Sequence, residues 1–374
     1  MHVLIAPDAF KDSLSAAEVA EAMEEGVKTF SPGAKCMFIS ASDGGEGFLN
    51  AIARYIPNLK VITTQTVDPL GRAIQAEYLY DEAEATAFVE LARASGLELL
   101  TRDERNPVYT STFGTGIQIA DAISRGAKKV YLGIGGSATN DAGTGIAQAL
   151  GFRFYASEGE LVEPMGANLH KITQIDPMGF KIEGIEFYAI NDVLNPLFGT
   201  TGAAQTYAKQ KGASQNEIGH LDKGLEHLSA VVKRQLHKDE AMTPGSGAAG
   251  GTAYGLKCFL NASYLSGTSF ILKLSNFEQL LSEKDIDVII TGEGRIDAQT
   301  SYGKFVYGIA QEALKYNVPV VAVCGKLDLS HAELQSIGLQ NAMELFDANR
   351  SISYSYENAK ELIAIRTTAL LREM

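Results

Sequence analysis

The sequence predicts an α/β protein: an open, doubly wound parallel sheet with a second α/β domain inserted into the first. Three observations carry this expectation. Short apolar runs recur along the chain, namely VLIA (3–6), CMFIS (36–40), VYLGI (130–134), DVIIT (287–291) and VPVVAVCG (318–325). Most are followed by stretches with apolar residues at helical spacing, and strands buried on both faces between helices pair in parallel. Two segments, 61–94 and 181–279, break this rhythm and read as the inserted domain.

Taken in order, VLIA is the first strand. Ser15 and Glu18 then form an S-x-x-E capping box, and Ala16, Val19, Ala20, Met23 and Val27 follow at helical spacing. QAEYLYDEAEATAFVELA, within 61–94, reads as a hairpin, and 181–279 mixes IEFYAI with glycine-rich loops. The expected division is therefore 1–60, 95–180 and 280–374 for the parallel-sheet domain, with 61–94 and 181–279 for the second.

A chain of 374 residues is long enough for two domains and a substantial core. Its net charge of −13 disfavours nucleic acid or an anionic membrane as partner, since both reward Lys and Arg patches. Cys36, Cys258 and Cys324 are far apart and odd in number, against disulfides and zinc. No apolar run approaches 18 residues and the N-terminal run is too short for a signal peptide, so a reduced, cytoplasmic setting is expected.

Chemistry-bearing residues cluster after the apolar runs. PDAFKDS brings Asp8, Lys11 and Ser13; SDGGEG brings Asp43 and Glu46; GEGRIDAQT brings Glu293, Arg295 and Asp297; IEFYAIND ends at Asp192. After VYLGI comes GIGGSATNDAGTG (133–145), with five glycines interleaved with Ser137, Thr139, Asn140 and Asp141. An ordinary strand-to-helix turn needs one or two glycines, so a large polar group is expected against this backbone. In an open α/β sheet the loops beyond the carboxyl ends of the strands form the ligand crevice, and the helix N-termini behind them offer amides to phosphate.

Each signal has a plainer reading. GIGGSA fits the relaxed G-x-G-x-x-A dinucleotide pattern, but STND would crowd the helix–sheet packing that pattern needs. An Asp in a Gly-Gly turn is more often a turn former than a metal ligand. Asp192 can cap a turn, and Lys11 can be a solvated lysine. His220 and His227 read as surface residues. PGSGAAGGTAYG (244–255) is either a linker or a backbone packed closely on something. No Walker motif is present.

Together, APDAFKDSLSAAEVA, SDGGEG, TSTFGTG (110–116), GIGGSATNDAGTG, NDVLNPLFGTTGAAQTYAKQKGA, PGSGAAGG, GEGRIDAQT with the GK pair at 303–304, and CGKL resemble the successive signatures of the bacterial glycerate kinases that phosphorylate the 2-hydroxyl. The resemblance covers nearly the whole chain in order. It implies ATP and Mg²⁺ as co-substrates and D-glycerate as acceptor. It also implies two α/β domains, one Rossmann- or flavodoxin-like, with the active site in the cleft between them. The chain departs from the family pattern at Ala9, Asp12, Asn191, Ala253 and Phe305-Val306.

Phosphoryl transfer depends on positioning and charge neutralisation. With the resemblance, Asp43, Glu46 and Glu293 become candidates for the metal. Asp192 and Asp297 compete as the base, with Asp192 favoured, and Lys11 joins them as a catalytic candidate. Asp8, Ser13, Arg72, Thr110, Ser111, Thr112 and Arg295 are candidates for glycerate, although TSTFGTG suits either ligand. Gly133, Gly135, Gly136, Ser137, Thr139, Asn140, Asp141, Gly247, Gly250 and Lys304 are candidates for the nucleotide. A monomer or small homo-oligomer is expected. The rival readings are a glycerate 3-kinase, a nicotinamide-dependent oxidoreductase resting on G-x-G-x-x-A alone, and a catalytically silent ligand-binding relative.

Overall fold

The computed structural model describes residues 1–10, 13–40, 44–45, 47–177, 182–283, 285–298, 300, 305–347 and 349–374. The chain forms two compact units, Met1–Ser42 with Thr268–Met374, and the continuous stretch Asp43–Gly267. Among the described residues the strands, in chain order, are β1 (His2–Pro7), β2 (Lys35–Phe38), β3 (Lys60–Val67), β4 (Ala73–Asp81), β5 (Thr86–Glu90), β6 (Lys129–Gly133), β7 (Arg153–Tyr155), β8 (Gln174–Asp176), β9 (Glu186–Ile190), β10 (Ser263–Leu265), β11 (Val288–Ile296), β12 (Val320–Leu327) and β13 (Asn341–Glu344).

The first unit holds a five-stranded sheet, order β13-β12-β11-β1-β2, with every pairing parallel. Its central strands read as continuous apolar runs because both faces are covered. Val3, Ile5, Val288, Ile290, Val321 and Val323 pack with Val19, Met23 and Val27 of the helix Ala16–Phe30 and with Ile363 and Leu370 of the helix Ala359–Glu373. The first of these helices starts at the expected capping box, with Ser15 and Glu18 bonded reciprocally. The two helices are tied by Thr368 Oγ1, which donates to the Gly26 carbonyl at 2.9 Å.

The second unit holds a six-stranded mixed sheet, order β10-β9-β6-β5-β4-β3. β3, β4 and β5 form an antiparallel meander that contains the expected hairpin, whereas β5, β6, β9 and β10 run parallel. The register pairs Glu90 with Gly133, Gly133 with Ile190, and Ile190 with Leu265, so four strand carboxyl ends lie level along one edge. β7 and β8 make a separate antiparallel pair. Tyr78, Val89, Leu132, Ile146, Phe187, Leu225 and Tyr254 belong to one apolar core.

Two expectations are corrected here. Residues 95–180, assigned with the terminal segments, belong to the second unit, because β6 is hydrogen-bonded between β5 and β9. Residues 43–60 join them and 268–279 do not. In addition, GEGRI is not a loop. It continues β11 to Ile296, paired with β12 through Arg295–Lys326 and Ile296–Leu327.

Candidate active site

In the second unit the opening of the glycine-rich loop is filled by protein. Gly135 N donates to the Gly44 carbonyl at 2.9 Å, and Ile134 N donates to that of Ile190. A Cβ placed on Gly135 would stand 2.3 Å from the Gly45 Cα, so this position must be glycine for the Gly44–Gly45 backbone to pack on it. Leu97 N donates to the Gly136 carbonyl and Ala138 N to that of Ser95, forming a short bridge across the loop. Gly250, at φ +65°, presses on Thr139 and Asn140, where a Cβ would meet the Thr139 carbonyl oxygen at 2.1 Å. PGSGAAGGTAYG is therefore close-packed backbone and the start of the helix Ala248–Leu260, not a linker.

Asp141 takes up the helix N-terminus that was expected to hold phosphate. It is fully buried, and its Oδ2 accepts from Thr112 N (2.8 Å), Thr112 Oγ1 (2.8 Å) and Gly145 N (3.2 Å), while Oδ1 accepts from Gly143 N (3.1 Å). Burial pushes its carboxyl above the ordinary range and these donors pull it back down. The amides of residues 143 and 145 thus serve the chain's own carboxylate. Thr110 donates through Oγ1 to the Ala138 carbonyl, and Ser111 Oγ accepts from Phe113 N. Thr110 and Thr112 hold this loop in place.

Two charged residues at this edge escape a reading by local motif. Lys211, 4% exposed, donates to Ser137 Oγ at 2.7 Å and to the Thr139 carbonyl at 2.8 Å. Glu90, buried at the end of β5, accepts from Gly47 N (3.3 Å) and Leu49 N (3.1 Å), fixing the start of the helix Phe48–Tyr55. Burial raises its carboxyl above the usual range. Glu90 ends the run TAFVE much as Asp192 follows EFYAI, and that parallel was the available signal. For Lys211 the signal was only its place in YAKQKGA, since no local rule marks a lysine for burial. Partly buried Asp192 lies two residues past β9, where Asn191 N donates to the Leu265 carbonyl.

The first unit carries the other half of the candidates. The β1–β11 register pairs Pro7 with Gly292, so Asp8, just past β1, is level with Glu293 inside β11, and Asp8 N donates to the Gly292 carbonyl at 2.8 Å. Glu293 is 6% exposed and accepts from Thr300 Oγ1 at 2.7 Å; Asp297 N donates to that same hydroxyl at 3.2 Å. Arg295, which is exposed, pairs with Asp328 (2.5 Å) and stands 3.5 Å from Asp297; it holds the Asp328 carboxyl below its ordinary value. Hard carboxylate oxygens such as those of Glu293 suit a magnesium ion, which takes one or two of them and fills its shell with water and phosphate.

Other candidates fall elsewhere. The Arg72 guanidinium is engaged by Asp68 and Glu104, both at 2.5 Å, in the β3–β4 turn. Ser13 lies in an exposed turn, its N donating to the Phe10 carbonyl. Gly247 packs on the Pro196 carbonyl. Lys11, Asp43, Glu46 and Lys304 lie outside the described residues. His220 is exposed and His227 partly buried, each with a ring nitrogen on a backbone carbonyl. No described helix is long and apolar enough to cross a membrane.

Comparison with known proteins agrees with the signatures in the chain. The sequence profile of the glycerate kinase family matches residues 3–374. A glycerate kinase of Halalkalibacterium halodurans is 39% identical over 96% of this chain and 95% of its own length. A glycerate 2-kinase of Escherichia coli K12 is 40% identical over 87% of this chain and 86% of its own. The crystal structure of a candidate glycerate kinase 2 from Salmonella typhimurium LT2 superposes with a TM-score of 0.78 at 35% identity, covering 99% of this chain and 97% of that one. The chain belongs to the glycerate kinase family.

Proposed function

We propose that this protein transfers the γ-phosphoryl group of ATP to the 2-hydroxyl of D-glycerate, giving 2-phospho-D-glycerate and ADP. The observation that carries the reading is the placement of acids toward carboxyl ends of parallel strands in each unit. Asp8 follows β1, Glu293 lies in β11 just past its pairing with β1, and Asp192 follows β9. In an α/β sheet that edge is where ligands bind. The unit of residues 1–42 and 268–374 is read as the Rossmann- or flavodoxin-like domain, with 43–267 inserted.

Asp192, two residues past β9, is read as the base that takes the acceptor proton, a role that needs a carboxylate within reach of the hydroxyl. Glu293 offers carboxylate oxygens to Mg²⁺, which when bound would neutralise phosphate charge. Lys11, Arg295 and Lys304 offer positive charge to the transferring group or to the glycerate carboxylate. Asn140 and the 136–140 backbone contact the nucleotide; the amides beyond, at 143–145, are occupied by Asp141 and do not. The three free cysteines fit a reduced, cytoplasmic setting.

Phosphorus NMR of a reaction with ATP, Mg²⁺ and D-glycerate tests this directly. The expected product resonance is that of 2-phosphoglycerate. The 3-phosphate would correct the acceptor hydroxyl, and absence of turnover would leave a silent binding protein. A thermal shift with ATP and Mg²⁺, and none with NAD, separates the kinase from an oxidoreductase.

A further inference from the structure

We propose that Lys211 is a positioning residue for phosphoryl transfer, clamping the Ser137–Thr139 segment from behind so that Asn140 meets the nucleotide. The inference rests on the reading that this loop contacts ATP.

Lys211 closes the one-turn 3₁₀ helix Lys209–Lys211 and is followed by Gly212 at φ +99°. A Cβ at 212 would lie 1.9 Å from the Arg105 carbonyl oxygen, so the turn is wedged against the 105 backbone and has no freedom to swing outward. Ala208 and Ala213, both buried, anchor its flanks in the unit's core. From this fixed base the side chain reaches 74 residues back in sequence to Ser137 Oγ and 72 to the Thr139 carbonyl. An interior position of this kind is ordinarily filled by Leu or Met. Burying an ammonium costs several kcal/mol that a distant opposite charge only partly returns. Here the charge acting on Lys211 is that of Asp141, in the same loop.

A second observation, beside the clamp, concerns a ligand. Thr139 Oγ1 and both amide atoms of Asn140 are buried and have no hydrogen-bond partner among the described residues. Native structures rarely leave such groups unmatched, because each forfeits its hydration without return. An amide with donor and acceptor both open, on a segment held by an otherwise costly lysine, is fitted to a ligand with both hydrogen-bond roles. A nucleotide supplies these with its ribose hydroxyls and phosphate oxygens.

Steady-state kinetics of Lys211→Met, Asn140→Ala and the double variant test the clamp. Lys211→Met is expected to raise the KM for ATP about tenfold with the KM for glycerate within about twofold, and the double variant to lose no more than the worse single one, since both act through one segment. Ser137→Ala removes one acceptor of the clamp without touching the core, and should raise the ATP KM by a smaller factor in the same direction. That variant decides the matter if Lys211→Met does not fold. A lower Tm with unchanged KM values in both Lys211→Met and Ser137→Ala overturns the proposal. A coupled rise in the glycerate KM instead keeps the clamp and overturns the assignment of the loop to ATP.

Discussion

GIGGSATNDAGTG and GEGRIDAQT are both glycine-and-acid segments at the ends of parallel strands, yet the structure spends their carboxylates differently. Asp141 is enclosed, with four hydrogen bonds from three backbone amides and one hydroxyl, and it closes a helix N-terminus. Glu293 remains in the strand, bonded by the Thr300 hydroxyl, with Asp8 at the neighbouring strand end and Arg295, Asp297, Lys326 and Asp328 beyond. A carboxylate surrounded only by N–H and O–H donors fixes shape. A carboxylate among groups of both signs can exchange a partner for a metal or a phosphate counter-charge. Residue type and spacing do not separate the two cases; the count and kind of neighbours do.

The largest effect expected concerns the base, for which each unit offers one acid. Removal of a general base costs on the order of 10²–10⁴ in rate. Asp192→Asn should lower kcat by that factor and leave ATP binding by calorimetry nearly intact. Asp297→Asn should weaken ATP or Mg²⁺ binding as well, because it removes the carboxylate that stands 3.5 Å from Arg295, in the same segment as Glu293. Near-normal turnover in Asp192→Asn passes the role to Asp297.

A crossed pair of variants would break the contrast between the two loops if it is wrong. Glu293→Gln keeps an oxygen for Thr300, so stability should hold to within about 1 kcal/mol. Its kcat/KM should fall on the order of 10²-fold, the scale of losing one preorganised electrostatic contact to the transferring group. Asp141→Asn places an amide donor among donors and leaves Lys211 without its opposite charge, which should cost about 3–5 kcal/mol of stability. Urea midpoints and turnover for both variants suffice. Equal stabilities would mean that Asp141 is no more structural than Glu293.

The sequence made the strand–helix order legible because central parallel strands are unmistakable apolar runs, and the capping box at Ser15 marked its helix directly. It did not reveal which sheet each run joins. VYLGI reads alike in either unit, and only its pairing with β5 and β9 places it. The glycines of 133–145 announced a close approach without saying to what. Gly45, Thr252 and Phe113 are the backbones that meet Gly135, Gly143 and Gly145. Gly135→Val would drive the Gly44–Gly45 backbone off its seat. Lys211 was illegible because its burial depends on contacts more than 70 residues away in sequence.

The last effect expected is a pH dependence of stability carried by Lys211. Burial brings its ammonium from the ordinary 10.5 down to about 7, with Asp141 drawing it partly back. The sign follows from proton counting. Between those two values the unfolded chain holds the proton more tightly than the folded one, so raising the pH favours folding. Below about pH 7 both states are protonated and the cost of burying the charge is fully present; it fades as the pH climbs toward 10.5. The neutral amine keeps two N–H groups, enough for Ser137 Oγ and the Thr139 carbonyl, so the clamp survives loss of the charge. Lys211→Met has no such titration, and other titrating groups are common to both proteins. The difference in urea midpoint between wild type and Lys211→Met should therefore shift toward wild type from about pH 7 to about pH 10. A difference flat across that range would show that Asp141 keeps Lys211 charged throughout, making the two a buried ion pair rather than a clamp and its neighbour.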